Sequence, residues 1–299
     1  MTTATDPSIL QVGEAVQYRG AAVAPLFPRL TPRAEYVSLD EAVGLGLRVE
    51  EVGREGSVSQ LKVVNATGVH ALLYEGEELA GAKQDRILDV AVLVEAGATV
   101  LIPVSCVEHG RWGGPTRSFE PSPRTGHPEL RRRKAERLAS APDGMHGAAQ
   151  SEVWAAVEEK AERLDARSST GAQAASFTTH RSRLEALMAR FPLQPGQCGA
   201  VLALSGRPVC IDVVSRPDVF AHVYPKVLAG YMLDALEHPD AAETSDAELD
   251  AFVADAVAAP ARCGRAVGLG DALRISGRGI VGSGLELDGE LIQLSAHAR

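Results

Sequence analysis

Charged residues are concentrated in two short clusters between Tyr74 and Trp112, and the clusters flank two strongly apolar runs. The first cluster spans residues 75–86 and holds three glutamates, one lysine, one aspartate and one arginine, and the second spans residues 105–111. Charges at the ends of short buried strands are costly unless they pair with one another or with a ligand. The sequence therefore predicts its functional site at these two clusters.

Cations in both clusters predict contacts with phosphate groups. Arginine and lysine bind phosphate oxygens through charge-assisted hydrogen bonds, and an indole ring offers a stacking surface for a base. The predicted ligand-binding residues are Lys83, Gln84, Arg86, Arg111 and Trp112. The alternative is that these charges pair with one another, because surface ion pairs are common and contribute little free energy.

Carboxylates in the clusters are the candidates for acid–base chemistry or for holding a metal ion. Glu78 and Glu108 are the predicted catalytic residues, because a positioned carboxyl group can give or take a proton. With Glu75 and Glu77 they offer only hard oxygen ligands, so any bound ion is expected to resemble Mg²⁺ or Ca²⁺ rather than zinc. Cys106 is predicted to be a core residue, because a carboxylate on the same strand face raises the pKa of a thiol.

The composition excludes several classes of protein. The chain has 299 residues, of which 45% are hydrophobic, so it can bury a substantial core. Its 30 Lys+Arg against 39 Asp+Glu give a net charge of −9, which argues against bulk binding of nucleic acid. No basic and apolar leader and no run of ~18 apolar residues is present, so we expect a cytoplasmic protein without a membrane segment.

Short apolar runs separated by turn residues predict strands in the first third of the chain. These runs are residues 21–27, 45–52, 58–64, 69–74, 87–94 and 99–107. Their connections are too short for crossover helices, so the strands are expected to form an antiparallel meander or sandwich. Residues 113–128 are rich in Pro, Gly and Ser and predict an irregular connector, either a mobile lid over the site or a passive linker.

The rest of the chain predicts an α+β fold. Helical periodicity between about residues 127 and 192 predicts a helical insertion, in which the basic run 131–137 forms a solvated face. Strand patterns return at residues 199–214 and 272–294, with helices between them. We therefore expect one domain spanning residues 1–299, with an antiparallel β-sandwich-like core from N- and C-terminal segments and a helical layer from the middle of the chain.

The two clusters resemble the ARG and rhodanese-phosphatase-superfamily-associated protein domain, a bacterial family. The resemblance is carried by Gly76-Glu77-Glu78, Gly81, Lys83-Gln84, Arg86, the run 102–108 and Gly110-Arg111-Trp112. It extends more diffusely from about residue 10 to residue 297. Two positions depart from the expected pattern, since His109 replaces a glutamine and Asp85 replaces a small amide.

The name of this family links it to ADP-ribosylglycohydrolases, and the resemblance implies a role in NAD or ADP-ribose metabolism. The expected function is recognition of a small anionic ligand, ADP-ribose-like or nucleotide-derived, with hydrolytic processing as a further role. The alternative is a non-catalytic interaction or scaffold protein whose charged clusters are structural. Convergence of Glu78, Arg86, Glu108 and Arg111 on one cleft would favour the first.

Overall fold

The computed structural model describes residues 2–3, 9–53, 55–114, 116–142, 150–239 and 242–299. Its strands are β1 (Thr2–Thr3), β2 (Leu10–Val12), β3 (Val16–Tyr18), β4 (Ala21–Pro28), β5 (Val37–Ser38), β6 (Arg48–Glu51), β7 (Gln60–Val64), β8 (Ala71–Leu73), β9 (Glu77–Gly81), β10 (Arg86–Leu88), β11 (Val92–Val94), β12 (Thr99–Cys106), β13 (Ser118–Thr125), β14 (Gly199–Leu204), β15 (Arg207–Val214), β16 (Ala261–Arg265), β17 (Asp271–Gly277), β18 (Ile280–Leu287) and β19 (Glu290–Ala298). Its helices are α1 (Leu39–Gly44), α2 (Pro128–Ser140), α3 (Gln150–Arg163), α4 (Gln173–Thr179), α5 (Arg181–Met188), α6 (Pro217–Ala235) and α7 (Asp246–Ala258). The predicted α+β class is confirmed.

A large antiparallel sheet of ten strands joins N- and C-terminal segments within the described residues. Its order is β1-β16-β17-β18-β19-β15-β14-β4-β2, and β3 also pairs with β4. β4 pairs along its length with β14, from Ala21 opposite Leu204 to Leu26 opposite Gly199. The predicted composite core is therefore present, because strands from both ends of the chain share one sheet.

Residues 48–125 contain a second β-structure, a closed barrel of six strands in the order β10-β12-β7-β6-β13-β9. Apolar side chains alternate along these strands and fill the interior, for example Leu61 and Val63 on β7 and Ile102 and Val104 on β12. β13 closes the barrel by pairing with both β9 and β6. A separate small sheet has the order β11-β8-β5, so the predicted strand at residues 87–94 is divided between two sheets.

The predicted irregular connector at residues 113–128 is wrong for its middle half, because residues 118–125 form β13. Pro121 and Pro123 argue against a strand in the sequence, because proline has no backbone N–H to donate to a neighbouring strand. The pairing of β13 with β9 shifts register between Pro121 and Thr125, which places Pro123 within a bulge. A lid spanning residues 113–128 is therefore excluded.

Helices α2 to α5 lie within the predicted insertion, and α2 and α6 pack against one face of the large sheet. α6 also contacts β13 of the barrel, so these helices lie between the two β-structures. The predicted solvated face of α2 is wrong at Arg131 and Lys134, which are buried. No helix in the described parts of the chain is long and apolar enough to cross a membrane.

Candidate functional site

Two segments meet at one end of the barrel and bring most of the predicted ligand-binding residues together. They are residues 82–85, between β9 and β10, and residues 107–114, after β12, and the Val107 amide donates to the Asp85 carbonyl at 3.0 Å. Residues 55–59, from the connection between β6 and β7, reach the same end. We refer to this end, defined by these three segments, as the barrel mouth.

Close backbone contact fixes the position of the second segment on the first. The Gly113 amide donates to the Lys83 carbonyl at 3.1 Å. A Cβ at Gly114 would lie 1.9 Å from the carbonyl oxygen of Ala82, well inside van der Waals contact. Only glycine permits this approach, and it places Trp112, two residues earlier, beside residues 82–85.

Arg111 ties the two segments together through every nitrogen of its guanidinium. Nε donates to Glu108 Oε2 at 2.8 Å, and Nη2 lies 2.6 Å from the same oxygen and 3.1 Å from Asp85 Oδ1. Nη1 donates to the carbonyl oxygens of Ala82 at 2.7 Å and Gly113 at 3.0 Å. Glu108 and Arg111 therefore form an ion pair, as the alternative to ligand binding expects, and Arg111 acts as a clamp between the segments.

The two carboxylates of this clamp differ in how readily they take up a proton. Burial alone would raise the pKa of Glu108, but hydrogen bonds from Arg111 and Thr170 bring it below its ordinary value. The pKa of Asp85 is raised, first by burial and then by the negative charge of Glu78. The surroundings therefore favour the protonated form of Asp85 and the ionised form of Glu108, each relative to its ordinary pKa.

We expect Arg111→Met to lower the free energy of unfolding by about 1–3 kcal/mol, because it leaves Glu108 and Asp85 without their cation. The Arg111 side chain is 30% exposed, which keeps the loss below that of a fully buried pair. Urea denaturation measures the effect, with the exposed Arg181→Met on α5 as the matched control. A loss no larger than that of the control would show that Arg111 is not a clamp.

Arg86 projects from β10 into the barrel interior. It lies opposite Cys106 and Leu79 in the ladders, and it shares its strand face with Leu88 of the barrel core. The residue is 0% exposed. Nη1 donates to the backbone and side-chain oxygens of Gln84 at 3.1 and 3.2 Å, whereas Nε and Nη2 have no partner among the described residues. Burial lowers the pKa of Arg86, yet a guanidinium keeps its charge in a protein.

Glu51, which the sequence predicted only as a strand residue, lies at the same mouth and is 2% exposed. Its Oε1 accepts a hydrogen bond from the Lys83 amide at 3.4 Å, and its Oε2 has no partner among the residues described. The negative charge of Glu51 acts on the Arg86 guanidinium. The available sequence signal was its place at the end of a predicted strand, directly before a glycine-containing turn.

Trp112 lies beside two cations at the barrel mouth. Its ring centroid is 4.9 Å from Lys83 Nζ and 5.8 Å from Arg86 Cζ. The residue is 51% exposed, so the indole is accessible although Arg86 is not. Contacts of this kind contribute ~0.5–2 kcal/mol each, little enough for a ligand that stacks on the ring to replace them.

The three glutamates of the first cluster each bind a different cation. The pairs are Glu75 with Arg131, Glu77 with Lys226 and Glu78 with Arg124. Their partners lie on α2, α6 and β13, so neighbouring positions in the sequence do not reveal them. The ion pairs of Glu75 and Glu77 hold the barrel against α2 and α6, whereas the ion pair of Glu78 joins two strands of the barrel, so the three glutamates do not assemble into one site.

Glu78 faces the outer wall of the barrel, because it lies opposite Ile87, which packs against the helices. Its Oε1 accepts hydrogen bonds from Ser122 and Arg124, and its Oε2 accepts one from Gln173 at 2.8 Å. Four residues were expected on one cleft. The structure brings Arg86, Glu108 and Arg111 to the barrel mouth, whereas the Glu78 side chain lies on the outer side of the barrel wall. Among the described residues, no group of three or more His, Cys, Asp or Glu side chains is arranged to hold a metal ion.

Cys106 is a buried core residue, as the sequence predicts. It is 0% exposed, and its Sγ lies 3.6 Å from the Val58 carbonyl oxygen. Burial raises the pKa of the thiol to about 11, so it is protonated at neutral pH. A protonated thiol is a poor nucleophile. Cys106 is therefore an uncharged side chain next to the barrel mouth.

Comparison with known families covers nearly the whole chain. Residues 9–297 match the model of the ARG and Rhodanese-Phosphatase-superfamily-associated Protein domain. No curated protein and no solved structure matches the chain. The matched range includes all three segments of the barrel mouth, the helical layer and the large sheet apart from β1. The chain therefore belongs to the ARG and Rhodanese-Phosphatase-superfamily-associated Protein domain family.

Proposed function

We propose that the protein binds a small anionic ligand of the nucleotide or ADP-ribose type at the barrel mouth. The observation that carries this proposal is the Arg86 guanidinium, which is fully buried and has two nitrogens without a partner among the described residues. A buried charge with unpaired hydrogen-bonding groups is costly, and proteins retain one where a ligand or an ordered water completes it. Oxygen atoms of a bound ligand would accept from these donors, and the Lys83 ammonium at the same mouth suits the charged part of that ligand.

Lys83 and Trp112 extend this site toward solvent. Lys83 forms no ion pair with any described residue, and its ammonium lies over the Trp112 ring. A base stacked on an aromatic ring gains ~1–3 kcal/mol, and the neighbouring ammonium suits a phosphate. Because Arg86 is fully buried, a ligand reaches it by displacing the Trp112 ring or by moving residues 55–59.

Recognition has more support at this site than hydrolytic processing has. Both carboxylate oxygens of Glu78 are engaged on the outer wall of the barrel. Glu108 is paired with Arg111, and its lowered pKa favours the ionised form, which cannot donate a proton. The name of the family supports the ADP-ribose class of ligand, and the residues at the mouth support an anion.

We expect Arg86→Met to weaken binding of ADP-ribose by about 100-fold, because truncating one partner of a buried charged contact costs ~2–5 kcal/mol. The same change should leave the free energy of unfolding unchanged or raise it, because it removes an unpaired charge from the barrel core. Isothermal titration calorimetry and urea denaturation measure the two quantities, and Arg181→Met is the control. Lost stability with unchanged affinity would show that Arg86 is structural.

The second candidate function is a non-catalytic interaction or scaffold protein, which the separate ion pairs of Glu75, Glu77 and Glu78 favour. A thermal-shift comparison with ADP-ribose, NAD and ADP separates the two candidates. A ligand at ~100 times its Kd adds ~2.7 kcal/mol to stability, which is readily detected. No shift with any of the three would favour the scaffold protein.

A further inference from the structure

We infer that the inner end of the barrel mouth, formed by Glu51 and Arg86, recognises a neutral group that carries a hydrogen-bond donor beside an acceptor. Adjacent hydroxyls of a sugar and a carboxamide both have this chemistry. The inference rests on the proposed function, because it assigns the part of the anionic ligand that enters the barrel. Lys83 and Trp112 then face the charged and stacking parts of the ligand outside.

The unpaired atoms at this end are of both kinds. Arg86 Nε and Nη2 are donors without an acceptor, and Glu51 Oε2 is an acceptor without a donor, among the described residues. Both residues are more than nine-tenths buried. Glu51 and Arg86 act on each other electrostatically, but they do not form an ion pair. A ligand group that satisfies these three atoms must therefore carry an acceptor for the Arg86 nitrogens and a donor for Glu51 Oε2.

Charge at the inner end selects against an ionised group there. Glu51 and Arg86 carry opposite charges, and the neighbouring Cys106 thiol is neutral. A phosphate or carboxylate placed between them would satisfy Arg86 but would be repelled by Glu51, and a cation would meet the reverse problem. A neutral donor and acceptor satisfies both side chains.

The chain packs tightly around Glu51. Gly56 has a φ of +77°, and a Cβ there would lie 2.8 Å from Glu51 Oε2 and 3.2 Å from Lys83 Cδ. Gly56 therefore approaches the carboxylate more closely than a residue with a side chain could. This contact orients Glu51 at the inner end and separates it from solvent.

The test uses Glu51→Gln, which removes the negative charge and keeps the shape of the side chain. We expect it to weaken binding of ADP-ribose by about 10–100-fold, because a charge-assisted hydrogen bond contributes ~1.5–3 kcal/mol. Affinity for inorganic pyrophosphate, which has no neutral group, should stay unchanged. Glu185→Gln is the matched control, since Glu185 is an exposed glutamate on α5, outside the barrel mouth. Calorimetric titration measures all these affinities.

Two ligand pairs distinguish the sources of the neutral group and need no variant. Weaker binding of 2-deoxyribose 5-phosphate than of ribose 5-phosphate would identify sugar hydroxyls. Weaker binding of nicotinic acid mononucleotide than of nicotinamide mononucleotide would identify a carboxamide, because the acid places a carboxylate against Glu51. One of the two differences is expected, and the absence of both overturns the inference.

The remaining outcomes separate the inference from the proposed function. An equal loss of ADP-ribose and pyrophosphate affinity in Glu51→Gln overturns the neutral subsite and leaves the anion site in place. Binding of nicotinamide or ribose without any response to the phosphorylated probes supports the subsite and overturns the anionic ligand. If wild-type protein binds none of these probes, both are overturned.

Discussion

Replacing Arg131 with methionine is expected to lower the free energy of unfolding by about 3–5 kcal/mol, because it leaves a buried carboxylate without its cation. Arg131 Nη1 donates to Asp212 Oδ2 at 2.9 Å, Nη2 bonds to Oδ1, and Nε donates to Glu75 at 2.9 Å. The side chains of Arg131 and Asp212 are both 0% exposed. Burial alone would raise the pKa of Asp212, but the Arg131 guanidinium holds it well below its ordinary value.

This effect should be confined to the buried pair, and the next residue offers the control. Arg132 is 31% exposed and pairs with Glu136 one turn along the helix, so Arg132→Met should cost no more than ~0.5 kcal/mol. Urea denaturation measures both variants. Arg131→Met combined with Asp212→Leu should cost less than the two single changes added together, because neither charge is then stranded. Strict additivity would show that the pair is not coupled.

Acidification from pH 6.5 is expected to destabilise the protein through His297. This residue is 1% exposed, and burial followed by the charge of Arg131 lowers its pKa to about 3. Arg132 also opposes its protonation, whereas Asp212 and Asp234 favour it. The folded pKa therefore lies below the ordinary value of 6.5, so the stabilisation is complete above pH 6.5 and is lost as the pH falls toward 3.

The magnitude follows from proton linkage. Between pH 6.5 and pH 3 His297 is protonated in the unfolded chain but not in the folded protein. Protonation of this group therefore lowers the free energy of unfolding by ~1.4 kcal/mol for each pH unit of acidification. His297→Gln should therefore flatten the pH dependence of the free energy of unfolding between pH 6.5 and 4.5 by ~2.3 kcal/mol relative to wild type, because the unfolded histidine is already half protonated at pH 6.5. Urea denaturation at several pH values measures the slope, with His222→Gln, 46% exposed, as the control. Parallel slopes for wild type and His297→Gln would show that His297 does not titrate in this way.

Features that depend on neighbours in the chain follow from the sequence alone. The hairpin of β14 and β15 turns at Ser205 and Gly206, which have φ values of +49° and +76°, as a two-residue turn requires. Ser245 and Glu248 form a capping box at the start of α7, and their spacing of three residues is the sequence pattern of that motif. In both cases the stabilising contacts join residues at most three positions apart, so the local pattern contains the information.

Convergence of the two charged clusters was also predictable in outline. β10 and β12 are joined by fewer than a dozen residues, and their antiparallel pairing places Arg86 opposite Cys106. The segments that follow β12 and precede β10 must then lie at the same end of the barrel. Lys83, Gln84 and Trp112 come together for this reason, and the sequence determined it without any knowledge of the rest of the fold.

Only the tertiary structure decided which charges belong to the candidate site and which hold the fold together. Glu77 and Lys226 are separated by 149 residues, Glu75 and Arg131 by 56, and Glu78 and Arg124 by 46. Barrel closure by β13 sets Glu78 against its outer wall and Arg86 in its interior, although both lie in one cluster. Closure of the barrel decides whether a strand residue points into the interior or outward. It also decides which cation lies next to each carboxylate. Spacing along the sequence therefore could not separate charges of the candidate site from charges that hold the fold together.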